Sequence, residues 1–383
     1  MPPAHKAEPL AVYLHWPYCG RICPYCDFNV HLDKRAGEAE RLVQAMVADL
    51  SHWRSWTGAR RIGSVHFGGG TPSLLTETQL SVLLGAIDNL WGLPTGTEIA
   101  LEANPKDITD MRARMWQHAG LNRLSVGVQS FDDAVLTRLG RDHDGAAAHG
   151  ALQRAIENIG SVSADLIFGV RGEDGGRLEA DLDRLLDLGV GHISTYQLTI
   201  EPGTAFAKAE ARGARLAIGE EASADAFQAI RARLTTAGFV HYEVSNFAKP
   251  GQKSAHNLAY WRGRDYVGVG PGAHGRLWTQ DGRIATETAL RPQAYAESVA
   301  ETGSGVSRRE TLGRDAAVAE YAMMGLRIDE GVSLHRLEQM RGQAVRIDPI
   351  LIEDGFLRIE NDRLVVTSSG RMVLDAVTRA LLT

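Results

Sequence analysis

The sequence predicts an α/β fold: a partial (β/α)6 barrel followed by a small C-terminal domain of helices and a hairpin. From Ala11 to about residue 250, short β-branched runs alternate with longer amphipathic stretches, which is the pattern of consecutive βα units. Glycine-rich and polar motifs follow several of the runs, where the carboxyl ends of barrel strands would bring them together. Beyond residue 290, helical patterns precede a short hairpin, which is typical of a winged-helix-like module.

The barrel elements follow from the periodicity. Segments such as Glu38–Trp53 and Thr76–Leu90 have apolar residues at helical spacing, so each can cover the outside of a parallel sheet. Right-handed crossovers would then curl the sheet. The six predicted strands are Val12–His15, Ser64–Phe67, Glu98–Glu102, Arg123–Val128, Ser163–Phe168 and His192–Leu198.

The rest of the chain is divided by composition. A seventh apolar run, Val240–Val244, leads into a region rich in glycine and proline, which favours loops over another βα unit. We predict an N-terminal tail (1–10), the barrel (11–248), a connecting region (249–290) and the C-terminal domain (291–383). In that domain we expect helices at Ala316–Leu326, Leu334–Met340 and Ser369–Leu382, and a hairpin that pairs Phe356–Ile359 with Leu364–Val366.

Composition excludes several functional classes. The net charge of −6 and the scattered Lys and Arg residues argue against nucleic acid as a partner. No stretch approaches the roughly 20 apolar residues of a membrane helix, although transient membrane association stays open. Met1–Pro9 lacks the apolar core of a signal peptide. We therefore expect a cytoplasmic protein without a transmembrane segment.

The three cysteines of the chain lie together after the first predicted strand, at Cys19, Cys23 and Cys26. Such a cluster indicates metal binding or redox chemistry rather than a disulfide framework. A C-x3-C-x2-C loop can bind three irons of a 4Fe–4S cluster and leave the fourth iron open. The amino and carboxylate groups of S-adenosylmethionine could chelate that open iron.

Two other interpretations of the cysteines are weaker. A Cys3His zinc site would use His15 or His31 as its fourth ligand, but zinc sites usually have a second ligand pair at a distance. Three buried core cysteines are disfavoured because Pro17, Gly20 and Pro24 indicate a loop.

The cysteine loop after strand one of a βα barrel resembles the radical S-adenosylmethionine superfamily. Further motifs follow in order: GGGTP (68–72), EANP (102–105), GVQSF (127–131), LGR (139–141) and DLIFG (165–169). This order resembles the subfamily that contains the HemW-type heme chaperones and the oxygen-independent coproporphyrinogen III dehydrogenases. The resemblance implies that S-adenosylmethionine is contacted by Tyr13, Tyr25, Gly69, Gly70, Thr71, Glu102, Gln129, Arg141 and Asp165. The dehydrogenases can hold a second molecule of it, and some of these residues belong to that second site.

Each motif also has an ordinary interpretation. The glycine run could be only a tight turn, and Glu102 a bystander beside a helix cap formed by Asn104 and Asp107. The proline that usually follows DLIFG-L is replaced here, leaving Gly169-Val-Arg171-Gly. That departure loosens the turn after the fifth predicted strand and adds a cation, Arg171, near the barrel mouth.

Two features favour the heme-chaperone branch. The dehydrogenases carry a further cysteine two positions after the third, where this chain has Phe28. A later segment matches the H-N-x-x-Y-W pattern implicated in heme binding by HemW, with His256, Asn257, Tyr260 and Trp261. Imidazole is a common axial ligand of heme iron, and the aromatic rings could cover a porphyrin face. The alternative is a hydrogen-bonded His256 that orders its loop while the aromatic rings pack on the barrel.

Three functions remain in competition. The first is a chaperone that receives heme from a donor and passes it to an acceptor protein, with a respiratory hemoprotein as the candidate acceptor. The second is a dehydrogenase that decarboxylates coproporphyrinogen III, and the third is a radical enzyme on an unrelated substrate. The resemblance favours the chaperone, without dehydrogenase activity. Its cofactors would be a 4Fe–4S cluster, S-adenosylmethionine and heme.

Overall fold

The computed structural model describes residues 8–32, 37–172 and 175–382. Of the predicted N-terminal tail, residues 1–7 lie outside this range, and Leu10 already belongs to the first strand. The strands are β1 (Leu10–Trp16), β2 (Tyr18–Cys19), β3 (His31–Leu32), β4 (Ile62–Gly69), β5 (Glu98–Ala103), β6 (Arg123–Gln129), β7 (Ser161–Phe168), β8 (His192–Gln197), β9 (Val240–Glu243), β10 (Asn246–Ala248), β11 (Tyr266–Val269), β12 (His274–Thr279), β13 (Gly282–Thr288), β14 (Val306–Thr311), β15 (Val332–Ser333), β16 (Leu357–Glu360) and β17 (Arg363–Val366).

The helices pack outside this strand framework or in the C-terminal part. They are α1 (Glu38–Thr57), α2 (Glu77–Trp91), α3 (Asp110–His118), α4 (Asp133–Arg138), α5 (Gly145–Asn158), α6 (Gly175–Leu188), α7 (Ala205–Glu210), α8 (Glu220–Thr236), α9 (Ala255–Trp261), α10 (Pro292–Thr302), α11 (Arg314–Gly325), α12 (Leu334–Arg341), α13 (Pro349–Glu353), α14 (Ser368–Arg371) and α15 (Leu374–Leu382).

One 12-stranded sheet forms the main body, in the order β14-β13-β12-β11-β1-β4-β5-β6-β7-β8-β10-β9. The seven central strands from β11 to β8 are parallel, whereas the strands at both ends join antiparallel. Because β14 and β9 each lack a second strand partner within the described residues, the barrel is partial. This confirms the predicted fold class and all six predicted strands.

The sequence forms these elements for local reasons. Helix α2 begins at a capping box in which Thr76 and Gln79 satisfy each other's backbone amides. Helix α1 turns Leu42, Met46 and Leu50 toward the sheet, where all three are buried. The strands contribute apolar residues to the same core, including Leu14 and Phe67. Burial of this apolar surface is the main force that holds the helices against the sheet.

The region predicted as connecting loops is regular structure instead. It contains α9 and then β11, which pairs in parallel with β1, and it continues into the antiparallel β12 and β13. Glycine is required there by close strand approach, since a Cβ at Gly268 would lie 2.1 Å from the carbonyl oxygen of His274. The glycine content therefore marks tight backbone packing and not an absence of strands.

The sheet also continues past the predicted boundary at residue 290, because β14 pairs with β13. A second apolar core begins at Ala317 and includes Leu326, Val332, Leu337 and Leu364. The predicted hairpin forms from β16 and β17, and the last predicted helix is divided into α14 and α15. Among the described residues, no helix is long and apolar enough to cross a membrane.

Candidate cofactor site

A cavity of about 430 Å³ opens at the carboxyl ends of the parallel strands. The cysteine loop covers one side, and the ends of β4 to β8 form the other. Of the residues predicted to bind the cluster and S-adenosylmethionine, this cavity is lined by Cys19, Cys23, Cys26, Tyr25, Gly69, Gly70, Thr71, Glu102, Gln129, Arg141 and Asp165. Residues distant in sequence are thus brought together because parallel strands end on one side of the sheet.

The three cysteines form no disulfide bond and share the cavity wall. Cys19 ends β2 and is buried, while Cys23 and Cys26 are half-buried in a turn closed by a hydrogen bond from the Cys26 amide to the Cys23 carbonyl, 3.1 Å. Burial raises the pKa of Cys19 and raises that of Cys26 to about 11, and neighbouring thiols add to both shifts. The raised pKa values of Cys19 and Cys26 favour the protonated forms of these two thiols when no metal is bound.

The histidines proposed as a fourth zinc ligand have other partners. His15 Nε2 lies 2.9 Å from the carbonyl oxygen of Asn29, and His31 Nε2 lies 3.3 Å from that of Leu290. Within the described ranges, no group of three or more His, Cys, Asp or Glu side chains is arranged to hold a single metal ion.

The glycine run bends the end of β4 against the cysteine loop. Gly69 has a φ of 105°, and a Cβ there would lie 2.6 Å from the imidazole of His15. The amides of Gly70 and Thr71 donate to the carbonyl oxygens of Trp16 and Tyr18, at 2.7 and 2.9 Å. The run thus fixes the loop beside the cavity and leaves bare backbone facing it.

Glu102 lines the cavity at the end of β5 and is held by two groups from β4. Its carboxylate accepts a hydrogen bond from the Gly69 amide at 3.2 Å and lies 3.1 Å from His66 Nε2. Its side chain is 38% exposed, so one face of the carboxylate remains open to a ligand.

Gln129 and Arg141 also line the cavity. Gln129 has a φ of 64°, a left-handed conformation rare outside glycine, and such strain concentrates at ligand sites. Arg141 donates to the Gly127 carbonyl at 3.0 Å and approaches Cys23 Sγ and the Tyr25 hydroxyl, both at 3.4 Å. Its buried Nε has no hydrogen-bond partner among the described residues, which leaves a cationic donor available in the cavity.

Asp165 lies within β7, three residues before its end, and accepts a hydrogen bond from the Ser125 hydroxyl at 3.0 Å. Burial raises the pKa of Asp165 to about 6, although hydrogen bonds from Ser194 and Ser125 oppose this shift. The site therefore holds a carboxyl group that titrates near neutral pH.

Tyr13, by contrast, does not line the cavity. Its hydroxyl lies 3.1 Å from His15 Nδ1, and its ring stacks on those of His66 and His256, with centroids 6.0 Å apart in each pair. Tyr13 thus belongs to the barrel interior below the cavity. Sequence reasoning also missed the end of β8, where Tyr196 and Gln197 line the cavity, although their position after the sixth predicted strand was a usable signal.

His256 lies at the opposite end of the barrel, on α9. It is 1% exposed, and its Nδ1 and Nε2 lie 3.1 Å from the Ser64 hydroxyl and 2.7 Å from the Tyr260 hydroxyl. Its ring stacks on His66 at 4.6 Å. Burial, with His66 nearby, holds the pKa of His256 well below its usual range, so the imidazole is neutral and both its nitrogens are engaged.

The other residues of the H-N-x-x-Y-W segment surround this histidine. Tyr260 packs edge-on against Tyr266 at 4.4 Å, and the Arg327 guanidinium lies over the Trp261 ring at 4.8 Å. Asn257 is half-buried, and its backbone amide donates to the Ser254 hydroxyl that caps the helix. The structure therefore brings His256 and Tyr260 into contact, but it does not present the imidazole to solvent.

Two family models match parts of this chain. The family model for the radical SAM superfamily matches residues 13–194, and the model for the HemN C-terminal domain matches residues 312–373. A heme chaperone HemW from Mycobacterium tuberculosis is 37% identical over 98% of this chain and 95% of that protein. HemW from Escherichia coli is 39% identical over 76% of this chain and 77% of that protein.

A mitochondrial radical S-adenosyl methionine domain-containing protein 1 from Bos taurus is also 37% identical, over 99% of this chain and 89% of its own length. Among solved structures, the coproporphyrinogen III oxidase HemN from Escherichia coli matches with a TM-score of 0.83 and 23% identity, over 99% of this chain and 91% of that chain. The last similarity establishes the fold alone. The sequence identities over nearly the full length show that the chain belongs to the HemW family within the radical S-adenosylmethionine superfamily.

Proposed function

We propose that the chain is a heme chaperone that binds heme and passes it to an acceptor hemoprotein in the cytoplasm, with a 4Fe–4S cluster and S-adenosylmethionine in the cavity. The near-complete sequence match to relatives named heme chaperone HemW carries this proposal.

The residues of the cavity fit these cofactors. Cys19, Cys23 and Cys26 would hold the cluster, and the open backbone at Gly69 and Gly70 would accept the methionine amino group. Glu102 and Asp165 supply hydrogen-bond acceptors for hydroxyl groups, and the unpartnered Nε of Arg141 supplies a donor. When bound, the cluster supplies the electron that can cleave the sulfonium bond of S-adenosylmethionine. The strand ends keep the polar groups oriented whether or not that cleavage occurs.

Heme ligation by His256 requires a rearrangement. Iron binds an imidazole nitrogen through its lone pair, and in this structure both nitrogens are hydrogen-bonded inside the barrel. We therefore propose that α9 moves away from the barrel wall when heme binds. The seven residues of this helix form a short unit that contacts β4 and α11, so its displacement leaves the central strands in place.

Heme titration of anaerobically reconstituted protein, followed by absorbance, tests the proposal. We expect one heme per chain, with affinity at least about tenfold lower in His256→Ala. The exposed His335 provides the control variant His335→Ala, which should bind like the wild type. Circular dichroism melting of each variant separates lost ligation from lost folding.

The same sample is then assayed for decarboxylation of coproporphyrinogen III. The exposed Phe28 lines the cavity at the position where dehydrogenases carry a further cysteine, so we expect no decarboxylation. Decarboxylation without specific heme uptake would overturn the chaperone assignment and favour a dehydrogenase.

A further inference from the structure

A second cleft of about 260 Å³ lies at the amino ends of the barrel strands, opposite the cysteine loop. Its walls come from Pro9 and Ala11 at the start of β1, from Arg61–Ser64 at the start of β4, from the turn 94–97, and from one face of α9. This basic cleft is defined by the four cations that line it: Arg61, Lys253, Arg262 and Arg264. In a chain with a net charge of −6, such a concentration of cations favours an anionic ligand.

Two of the four cations are already paired. Lys253 Nζ lies 2.8 Å from Asp329, and Arg262 forms a bidentate pair with Glu330 at 2.9 and 2.5 Å. Within the described ranges, the side chains of Arg61 and Arg264 make neither an ion pair nor a hydrogen bond. Partial burial and the charge of Arg262 lower the pKa of Arg264, against opposing effects of Glu8 and Glu330. The two unpaired guanidiniums therefore carry positive charge that the surrounding carboxylates do not neutralise.

The cleft is also apolar in part and reaches the histidine of α9. Ile62, Leu258 and Ala259 line it but are more than nine-tenths buried, so most of their hydrocarbon surface becomes available only when α9 moves. Ser64 forms part of the wall, and its hydroxyl lies 3.1 Å from His256 Nδ1. One side chain thus separates the cleft from the imidazole.

We propose that the basic cleft binds the carboxylate edge of heme, with Arg61 and Arg264 as partners of the two propionates. This inference rests on the proposed function and adds the position of the cargo. The guanidinium group pairs with carboxylate through two parallel hydrogen bonds, and the apolar wall accommodates the adjacent porphyrin edge. The cleft is smaller than the roughly 300–1,000 Å³ of a pocket for a whole drug-sized ligand, so it holds one edge of the macrocycle. Heme then enters beside α9, at the barrel end away from the cluster.

The test removes the negative charge of the heme propionates and, separately, the positive charge of the two arginines. Heme and heme dimethyl ester are each titrated into reconstituted wild type, into the double variant Arg61→Gln/Arg264→Gln, and into Arg308→Gln as a control on the exposed strand β14. We expect the double variant to bind heme about tenfold more weakly, as for loss of about 1.4 kcal/mol of interaction. Its affinity for the ester should equal that of the wild type, and Arg308→Gln should match the wild type for both ligands.

Competition with inorganic phosphate tests whether the anion that binds the cleft is a heme propionate or a free phosphate. Phosphate that competes for the two arginines should weaken heme binding by the wild type and leave ester binding unchanged. The double variant could instead lose phosphate binding while the wild type binds heme and heme dimethyl ester with equal affinity. That result would assign the cleft to a free phosphate compound and overturn the inference.

The remaining outcomes separate the inference from the proposed function. If the wild type binds heme and its ester equally and the double variant is unaffected, the cleft assignment fails while the chaperone function stands. If the wild type binds neither porphyrin, the proposed function fails and the inference falls with it. Melting curves of the double variant confirm that it is folded, which we expect because the two side chains have no described partners to lose.

Discussion

The two ends of the barrel differ in how ready they are for a ligand. At the carboxyl end, Glu102, Gln129 and Asp165 face an open cavity, and the buried Nε of Arg141 lacks a described partner. At the amino end, His256 is 1% exposed and both its nitrogens are hydrogen-bonded. The same scaffold therefore has an open cavity at one end and, at the other, a closed site that we propose for heme, so binding of the proposed cargo requires a rearrangement that binding of the cofactors does not.

The two ends are physically connected. His66 lies 3.1 Å from Glu102 at the cavity and stacks at 4.6 Å on His256. Tyr13 stacks on both histidines. A change at Glu102 can thus reach α9 through packed rings, although such contacts alone do not demonstrate energetic coupling.

Loss of a cysteine should have the largest effect and should be confined to the carboxyl end. In Cys23→Ala the cluster loses one of three ligands, so we expect iron and sulfide content to fall to background after reconstitution. The fold should persist because Cys23 is only half-buried. Metal analysis and visible absorbance provide the measurement, and Ile22→Ala on the same loop, where Ile22 is 43% exposed, serves as control. Full cluster content in Cys23→Ala would rule out this ligand assignment.

The closure of the amino end should depend on Glu98. Its carboxylate accepts the amide hydrogens of Ala255 and His256 at 3.0 and 2.9 Å, and so holds the first turn of α9. We expect Glu98→Gln to lower the free energy of unfolding by about 2 kcal/mol, as for loss of charge-assisted hydrogen bonds. Heme should associate faster, because α9 is released more easily.

Stopped-flow absorbance measures that association rate, and thermal melting measures the stability. The matched control is Glu77→Gln, which removes an exposed carboxylate from the first turn of α2. An unchanged association rate in a destabilised Glu98→Gln protein would show that release of α9 does not limit heme entry.

At the carboxyl end, Asp165 should make cofactor binding sensitive to pH. Burial raises its pKa to about 6, and the ionised carboxylate is the better acceptor for hydroxyl groups. The affinity for S-adenosylmethionine should therefore fall a few-fold between pH 7 and pH 5, as about 1 kcal/mol of interaction is lost. Calorimetric titration with S-adenosylmethionine at several pH values between 7 and 5 measures this affinity. In Asp165→Asn the affinity should not change with pH. The same raised pKa means that the contribution of Asp165 to folding stability is present below pH 4 and lost as the pH rises through 6.

Much of the barrel could be predicted because its signals are local. The alternation of strand and helix patterns located all six strands, and the spacing of Cys19, Cys23 and Cys26 placed them in one loop. The gathering of polar groups at one end of the barrel followed from one rule, that parallel strands end on the same side, whereas the individual cofactor contacts were implied by the family resemblance. The ends of β4 to β7 were predicted on this basis, and Tyr196 and Gln197 were missed because the rule was not extended to β8.

The interior of the barrel could not be read in the same way. The stacked rings of Tyr13, His66 and His256 come from two strands and a helix, so no local pattern marks their contact. Alternation along β1 does place Tyr13 and His15 on one face, but not which of them reaches the cavity. Glycines at close strand contacts, such as Gly268, were mistaken for loop residues because composition does not distinguish tight packing from a turn.

The smallest expected effects distinguish the two nitrogens of His256. Ser64→Ala removes the partner of Nδ1, and Tyr260→Phe removes the partner of Nε2. Each loses one hydrogen bond, which costs about 1 kcal/mol of folding stability. Iron binds the lone pair of one nitrogen, so the variant that frees that nitrogen should bind heme a few-fold more tightly. The gain in binding free energy should not exceed the roughly 1 kcal/mol of the removed hydrogen bond. Because Ser64 lies on the wall of the basic cleft, we expect the higher heme affinity in Ser64→Ala. A gain in Tyr260→Phe alone would place the iron on the Tyr260 side of the ring, and no change in either would mean that His256 stays closed while heme binds elsewhere.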